Sequence, residues 1–401
     1  MNRKRFMIVI VITFLIMLFA IFLPYTKKED KSSEKKETYI LTKDESLEEF
    51  DFISQAIEKN YVNYPYIANS GSIDFNKLKE IYTAKLEHNL SLPEYKFIIK
   101  SYLKEFSDEN LDILEYPDFL NLYNIYSTSN DSPIHEIVTN QDVLKVYKEF
   151  KNSEGEETDK NSNLILDNQG DNVAIIRIDD FNQRFKIEDG KKIKQFLQKV
   201  ESYPYLIIDI REGHGDSLDY AVENLINPLS KNINVTSFNL LQRTSDFQNL
   251  LNSLNIISGI KVEEQFKDTK NFVKLKKAHQ IEQFPLFQTY TFRHDGNNDY
   301  NFKGKIYVIQ SQNTKGAADF LSQITNRTSF GVTVGTFTSG NGISPIDAFI
   351  KLPNSHLIIS LPYSTGVNED GYLNSLNGTY PEIPVDENVD SLDYILNYLN
   401  Q

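Results

Sequence analysis

Nucleophilic hydrolysis asks three things of a chain: a hydroxyl or thiol that attacks, a base that takes its proton, and N–H groups aimed at the oxyanion that forms. This sequence has no cysteine, which leaves hydroxyls as the attacking groups and removes disulfides and thiolate metal sites. Ser311 follows the apolar run KIYVIQ, Ser322 lies in the small-residue stretch GAADFLSQI, and Ser339 stands in a turn-like segment. Roles at a strand end, on a helix surface and in a turn suit these three better than catalysis does. His214 sits in the turn Gly213-His214-Gly215-Asp216, where a lone histidine is more often solvated than a base or a metal ligand. No His/Asp/Glu cluster has metal-ligand spacing and no glycine loop is built to cradle phosphate, so no metal and no cofactor is implied.

The elements that must position such groups follow from hydrophobic periodicity. Ser46 with Glu49 and Ser91 with Glu94 have the spacing of capping boxes, and Asp74 can cap a helix between them. The third of these helices carries Tyr95, Ile98, Ile99, Tyr102, Leu103 and Phe106 on one face. Between 117 and 170 the period weakens, ending in the polar KNSEGEETDKNSN. From Asn172 strand-like and helix-like runs alternate: NVAIIRI, a helix through Ile193 and Leu197, YLIIDI, a helix through Leu218 and Leu225, then KIYVIQ, GAADFLSQI and GVTVGTF. That order predicts an α/β sheet whose central strands are covered on both faces. SLDYILNYL closes the chain as a last helix.

At the other end, Phe6 to Leu23 holds no charge and one polar residue, Thr13, and is about long enough to cross a bilayer. It reads as an uncleaved membrane helix, because no small-residue cleavage site follows. A charged tether, residues 26–43, comes next. The net charge of −14 excludes a nucleic-acid partner, which requires a basic stripe. The expected organisation is therefore an anchor over 1–25, the tether over 26–43, a helical bundle over 44–116, a linker region over 117–170 and an α/β core over 171–401. The localisation expected is a single-pass cell-membrane protein with its folded part outside the cytoplasm.

Several blocks resemble, in order, the tail-specific (C-terminal processing) serine peptidases. FSDENL stands where one branch of that family has D-G-H-T, and NVAIIRIDDF is similar to the strand that opens its core. YLIIDIREGHGDS resembles L-I-I-D-x-R-x-N-x-G-G, and GKIYVIQSQNTKGAADF resembles G-K-V-Y-V-L-x-N-x-x-T-x-S-A-A-E-x-F. GVTVGTFTSG stands where G-E-x-T-x-G is common, LPNSHLIISLP resembles the strand pair after it, and NGTYPEIPVD resembles the closing G-x-x-P-D-I-x-V. The resemblance implies a protease-core sheet of the ClpP/crotonase-like type behind a small helical domain. The family's peptide-binding PDZ module has no evident counterpart in 117–170.

The same resemblance implies which positions should be catalytic, and all of them are substituted. The nucleophile falls on Gly316, which has no side chain. A histidine base would fall on Asn110 and its acidic partner on Thr336, while in the lysine branch the base falls near Asn341; an amide takes no proton near neutral pH. Backbone oxyanion donors would be Gly215 and Ala317, and the cleft would include Glu212, His214 and Asp216, the last of which opposes a forming oxyanion. Asp209 and Arg211 are expected to fix a strand end. Two readings follow. One is a membrane-anchored pseudoprotease that holds a peptide or protein partner in the former substrate cleft. The other is an active serine endopeptidase with a rearranged site that uses Ser311, Ser322 or Ser339. A purely structural role is a third.

Overall fold

The computed structural model describes residues 39–71, 73–154, 164–247, 249–256, 283–294, 299–344 and 346–400, with short pieces at 260–262, 267–268 and 296. The expected membrane helix over 6–23 and most of the tether lie outside them; among the described residues no helix is long and apolar enough to cross a membrane. Three N-terminal helices form as their caps dictate. Helix α1 (Lys43–Asn60) starts one turn before the expected Ser46 box, at Thr42, whose N–H donates to Glu45 Oε2 (2.8 Å) and whose hydroxyl accepts from the Glu45 N–H (3.3 Å). The reason is burial: Ser46 and Glu49 face inward, and Glu49 Oε2 accepts the backbone N–H groups of Asn354 (2.6 Å) and Ser355 (2.8 Å). Helix α2 (Phe75–Lys85) is capped by Asp74, and α3 (Leu92–Lys104) by the Ser91–Glu94 box, as their spacing predicts. Tyr95, Ile99, Tyr102, Leu103 and Phe106 are buried, with Tyr102 edge-on to both Phe50 and Phe106.

The stretch 117–170, read as a linker, carries helices over Tyr116–Tyr126, Pro133–Val138 and Gln141–Glu154. Its weak apolar period hid them, because a few large rings do the packing: Tyr147 stacks on Phe119 at 4.2 Å and donates to the Leu114 carbonyl (3.2 Å). Pro117 and Pro133 sit in first turns, where a missing N–H costs nothing.

Strands β1 (Asp112–Ile113), β2 (Ile165–Gln169), β3 (Val173–Arg177), β4 (Tyr205–Asp209) and β5 (Lys305–Gln310) are followed by helix α4 (Ala317–Arg327) and strands β6 (Val332–Gly335), β7 (Ala348–Lys351), β8 (Ile358–Leu361) and β9 (Ile383–Pro384). The main sheet runs β9-β6-β5-β4-β3-β2, parallel throughout except for the antiparallel β2–β3 edge. Val173, Ile175, Ile207, Ile309 and Val334 line one face under helix α5 (Ser391–Leu399), whose Leu392, Ile395 and Leu396 cover them. Ala174, Ile176, Leu206, Ile208 and Val308, at the alternate positions, are also fully buried. This is the two-sided burial that the unbroken apolar runs predicted. A second sheet, β7-β8-β1, joins the helical region to the core, pairing Asp112 and Ile113 with Ser360 and Ile359. From Leu41 to Gln401 the chain forms one compact unit.

Candidate functional site

Strands β4 and β5 are parallel neighbours with Asp209 beside Ile309, so the turns that leave their carboxyl ends, 210–217 and 311–316, lie on one edge of the sheet. Crevices at the carboxyl ends of parallel strands are where α/β folds hold ligands. The edge is fixed by Asp209, which accepts from Arg177 (3.0 and 2.7 Å) and from Arg211 (2.9 and 2.8 Å), while Arg211 also reaches Asp390 (2.7 Å). Burial alone would raise the Asp209 carboxyl, but the two guanidiniums hold it below the ordinary value. Asp209 and Arg211 thus hold the strand end, the role their sequence position suggested.

The two turns are laced together by their backbones. Lys315 N–H donates to the Gly213 carbonyl (2.9 Å), Gly316 N–H to Gly340 (3.0 Å) and Ala317 N–H to Gly215 (2.9 Å), and the Thr314 hydroxyl donates to Ile210 (2.7 Å). Gly316 stands immediately before α4 at φ 61°, ψ −128°. A first side-chain carbon there would lie 2.5 Å from the Gly215 carbonyl oxygen and 3.6 Å from Asp216 Oδ1. Gly215, at φ +101°, turns its carbonyl into the space a nucleophile's side chain would need. Of the two expected oxyanion donors, Ala317 gives its N–H to the Gly215 carbonyl.

Of the other expected positions, the structure brings two to this turn and leaves one aside. Lys315 forms a close ion pair with Glu109, which sets the loop Asp108–Asn110 across from Gly316; the Asn110 N–H donates to Asp108 Oδ1 (3.0 Å). Asn341, at φ 66°, follows Gly340, whose carbonyl receives the Gly316 N–H. Thr336 serves the sheet end, its carbonyl accepting from Gln310 Nε2 (2.9 Å). In the cleft set, the Glu212 carboxylate accepts from Asn313 Nδ2 (2.9 Å) and His214 Nδ1 lies 3.1 Å from the Glu212 carbonyl. The candidate serines all donate to backbone carbonyls: Ser311 to Arg211 (2.5 Å), Ser322 to Ala318 (3.5 Å) and Ser339 to Gln312.

Buried and half-buried carboxylates surround this turn, of which sequence reasoning placed Asp319 at the start of the helix after Gly316 and missed Asp118 and Asp347. Asp319, buried in the first turn of α4, accepts the hydroxyls of Thr338 and Thr379 (2.5 Å each), the Gly342 N–H (2.9 Å) and Asn374 Nδ2 (3.0 Å). Asp347 accepts from the Ser360 hydroxyl (3.2 Å). Desolvation, then Asp216 and Asp108, push the Asp347 carboxyl well above its usual range. Asp216 and Asp118 are raised too, each first by desolvation; Lys315 partly offsets this at Asp216, and the Asp216 charge adds to it at Asp118. Nothing in the local sequence flags Asp118 or Asp347. Lys315 and Glu109, however, carry opposite charges beside two of the expected catalytic positions, and that signal was available.

A model of peptidase family S41 matches residues 172–385. No curated protein matches the chain. Among solved structures, a candidate peptidase from Parabacteroides merdae ATCC 43184 superposes with a TM-score of 0.52 at 11% identity, covering 90% of this chain and 98% of its own. Mature CPAF complexed with lactacystin gives 0.51 at 12% identity, covering 89% and 97%. At such identities the likeness speaks for the mixed α/β fold.

Proposed function

The chain belongs to peptidase family S41, and on that premise we propose that it is a pseudoprotease which holds a peptide or protein segment in its former substrate cleft without cutting it. The observation that carries this reading is the Gly215 carbonyl, which sits 2.5 Å from where a side chain at position 316 would begin and takes the Ala317 N–H at 2.9 Å. Attack requires a side-chain nucleophile and a free donor at that point, and neither has room. The core belongs with the ClpP/crotonase-like type, and residues 6–23 hold the protein to a membrane with the folded part outside the cytoplasm.

The alternative of a relocated serine finds no support in the hydroxyls of Ser311, Ser322 and Ser339, since each donates to a carbonyl and none to a histidine, lysine or carboxylate base. A fluorophosphonate probe, which labels only an activated serine, separates the two readings. The full-length protein is expected to stay unlabelled and to leave an unstructured peptide library intact by mass spectrometry. Labelling that disappears on Ser311→Ala or Ser339→Ala would overturn the pseudoprotease reading.

A further inference from the structure

The former cleft carries more negative charge than its own cations neutralise. The pairing of β1 with β8 sets the loop Asp108–Asn110 beside Ser360, whose hydroxyl holds Asp347, and Glu109 bridges from that loop to Lys315, next to the turn that faces Asp216. Asp118, at the start of the helix that follows β1, feels the Asp216 charge. Among the described residues no lysine or arginine lies within ion-pair distance of Asp108, Asp118, Asp216 or Asp347; Lys315 is paired with Glu109. The acceptor excess extends to uncharged groups. Asn63 reaches Asp108 with its Nδ2 (3.5 Å), while its buried Oδ1 has no hydrogen-bond partner. Tyr363, 2% exposed, has a buried hydroxyl with no hydrogen-bond partner. No three of the described carboxylates and histidines converge closely enough to hold one metal ion. Separated carboxylates with spare acceptors suit a donor-rich, extended cation: the guanidinium of arginine has five N–H donors and lysine's ammonium has three.

We infer that the cleft takes a basic peptide segment, with arginine or lysine side chains facing Asp216 and Asp347. This rests on the reading of the cleft as a binding site without chemistry, and it names the class of segment bound.

The test uses full-length protein and three fluorescein-labelled Gly/Ser peptides of equal length, bearing arginines, glutamines or glutamates at the same positions. Anisotropy is read at about 150 mM salt, where the Debye length of about 8 Å suppresses distant charge effects. The arginine peptide is expected to bind about tenfold more tightly than the glutamine peptide, and the glutamate peptide not at all. Asp347→Asn and Asp216→Asn should each weaken the arginine peptide about fivefold to tenfold. Asp171→Asn, in the turn at the opposite end of the sheet, removes one charge as each cleft variant does and should leave it unaltered. Equal binding of the arginine and glutamine peptides overturns the inference, as does an equal loss in the distant control. Stabilisation by calcium chloride that is lost in Asp347→Asn, without peptide discrimination, would replace it with a metal site. Cleavage of the bound arginine peptide would overturn the pseudoprotease reading and leave the specificity standing.

Discussion

Gly316 and Asp319 lie at the two ends of the first turn of α4, and they are built in opposite ways. At Asp319 two carboxylate oxygens receive four donors from two separate segments, 338–342 and 374–379. At Gly316 there is no side chain, and a neighbouring carbonyl fills the space. The contrast separates scaffold from chemistry: the network that positions the loops around the helix is complete, while the position that would react is closed by its own backbone.

Removing the better-built end should have the largest effect. Asp319→Ala leaves two hydroxyls, an amide and a backbone N–H without their acceptor in a dry site, and is expected to cost about 3 kcal/mol or more in a urea midpoint measurement. Asp319→Asn, which keeps the volume, should cost less; equal stability of Asp319→Ala and wild type would show that the network is idle. Gly316→Ser tests the other end. Its β-carbon must enter the space of the Gly215 carbonyl at positive φ, so a loss of about 1–3 kcal/mol is expected without any gain of peptide hydrolysis. Gly316→Ala should lose as much, because the clash belongs to the first carbon and not to the hydroxyl. A stable, active Gly316→Ser would break the comparison.

The smallest effect concerns the acidic side of the cleft. The Asp347 carboxyl is raised in the folded state, so its favourable contribution is full below the unfolded value of about 4 and is lost as pH rises through the folded value. Asp347→Asn removes that loss. It should be more stable than wild type by about 0.5–2 kcal/mol at pH 7, an advantage that shrinks toward zero as the pH falls to about 4. Chemical denaturation of both proteins across that range checks the sign; an advantage that grows in acid would mean the carboxylate is stabilised where it stands.

Much of this architecture was legible because it is written locally. The Ser91–Glu94 box, the Asp74 cap and the unbroken runs NVAIIRI, YLIIDI and KIYVIQ specify helix starts and two-sided strands without reference to distant residues. The α1 cap failed as a local inference because Thr42–Glu45 and Ser46–Glu49 fit the same pattern, and only the remote turn at 354–355 decides between them. At the site, the missing side chain at Gly316 and the amides at Asn110 and Asn341 are facts of sequence. The direction of the Gly215 carbonyl is a dihedral choice that glycine leaves open, and the approach of Asp347 to Asp108 depends on pairing two short strands far apart in the chain. Neither has a periodicity to betray it.

The clamp on Glu49 also bears on how the chain is made. Its partner amide at Asn354 lies 305 positions later. At synthesis rates of about 5–20 residues per second, the first helix waits roughly 15–60 s for the turn that receives its carboxylate. During that interval α1 has its caps and its aromatic neighbours but not its anchor, and β1 has no strand to pair with. A segment that emerges early is thus among the last to be locked, and the time spent waiting is when it is exposed to proteases and to sticking to its neighbours.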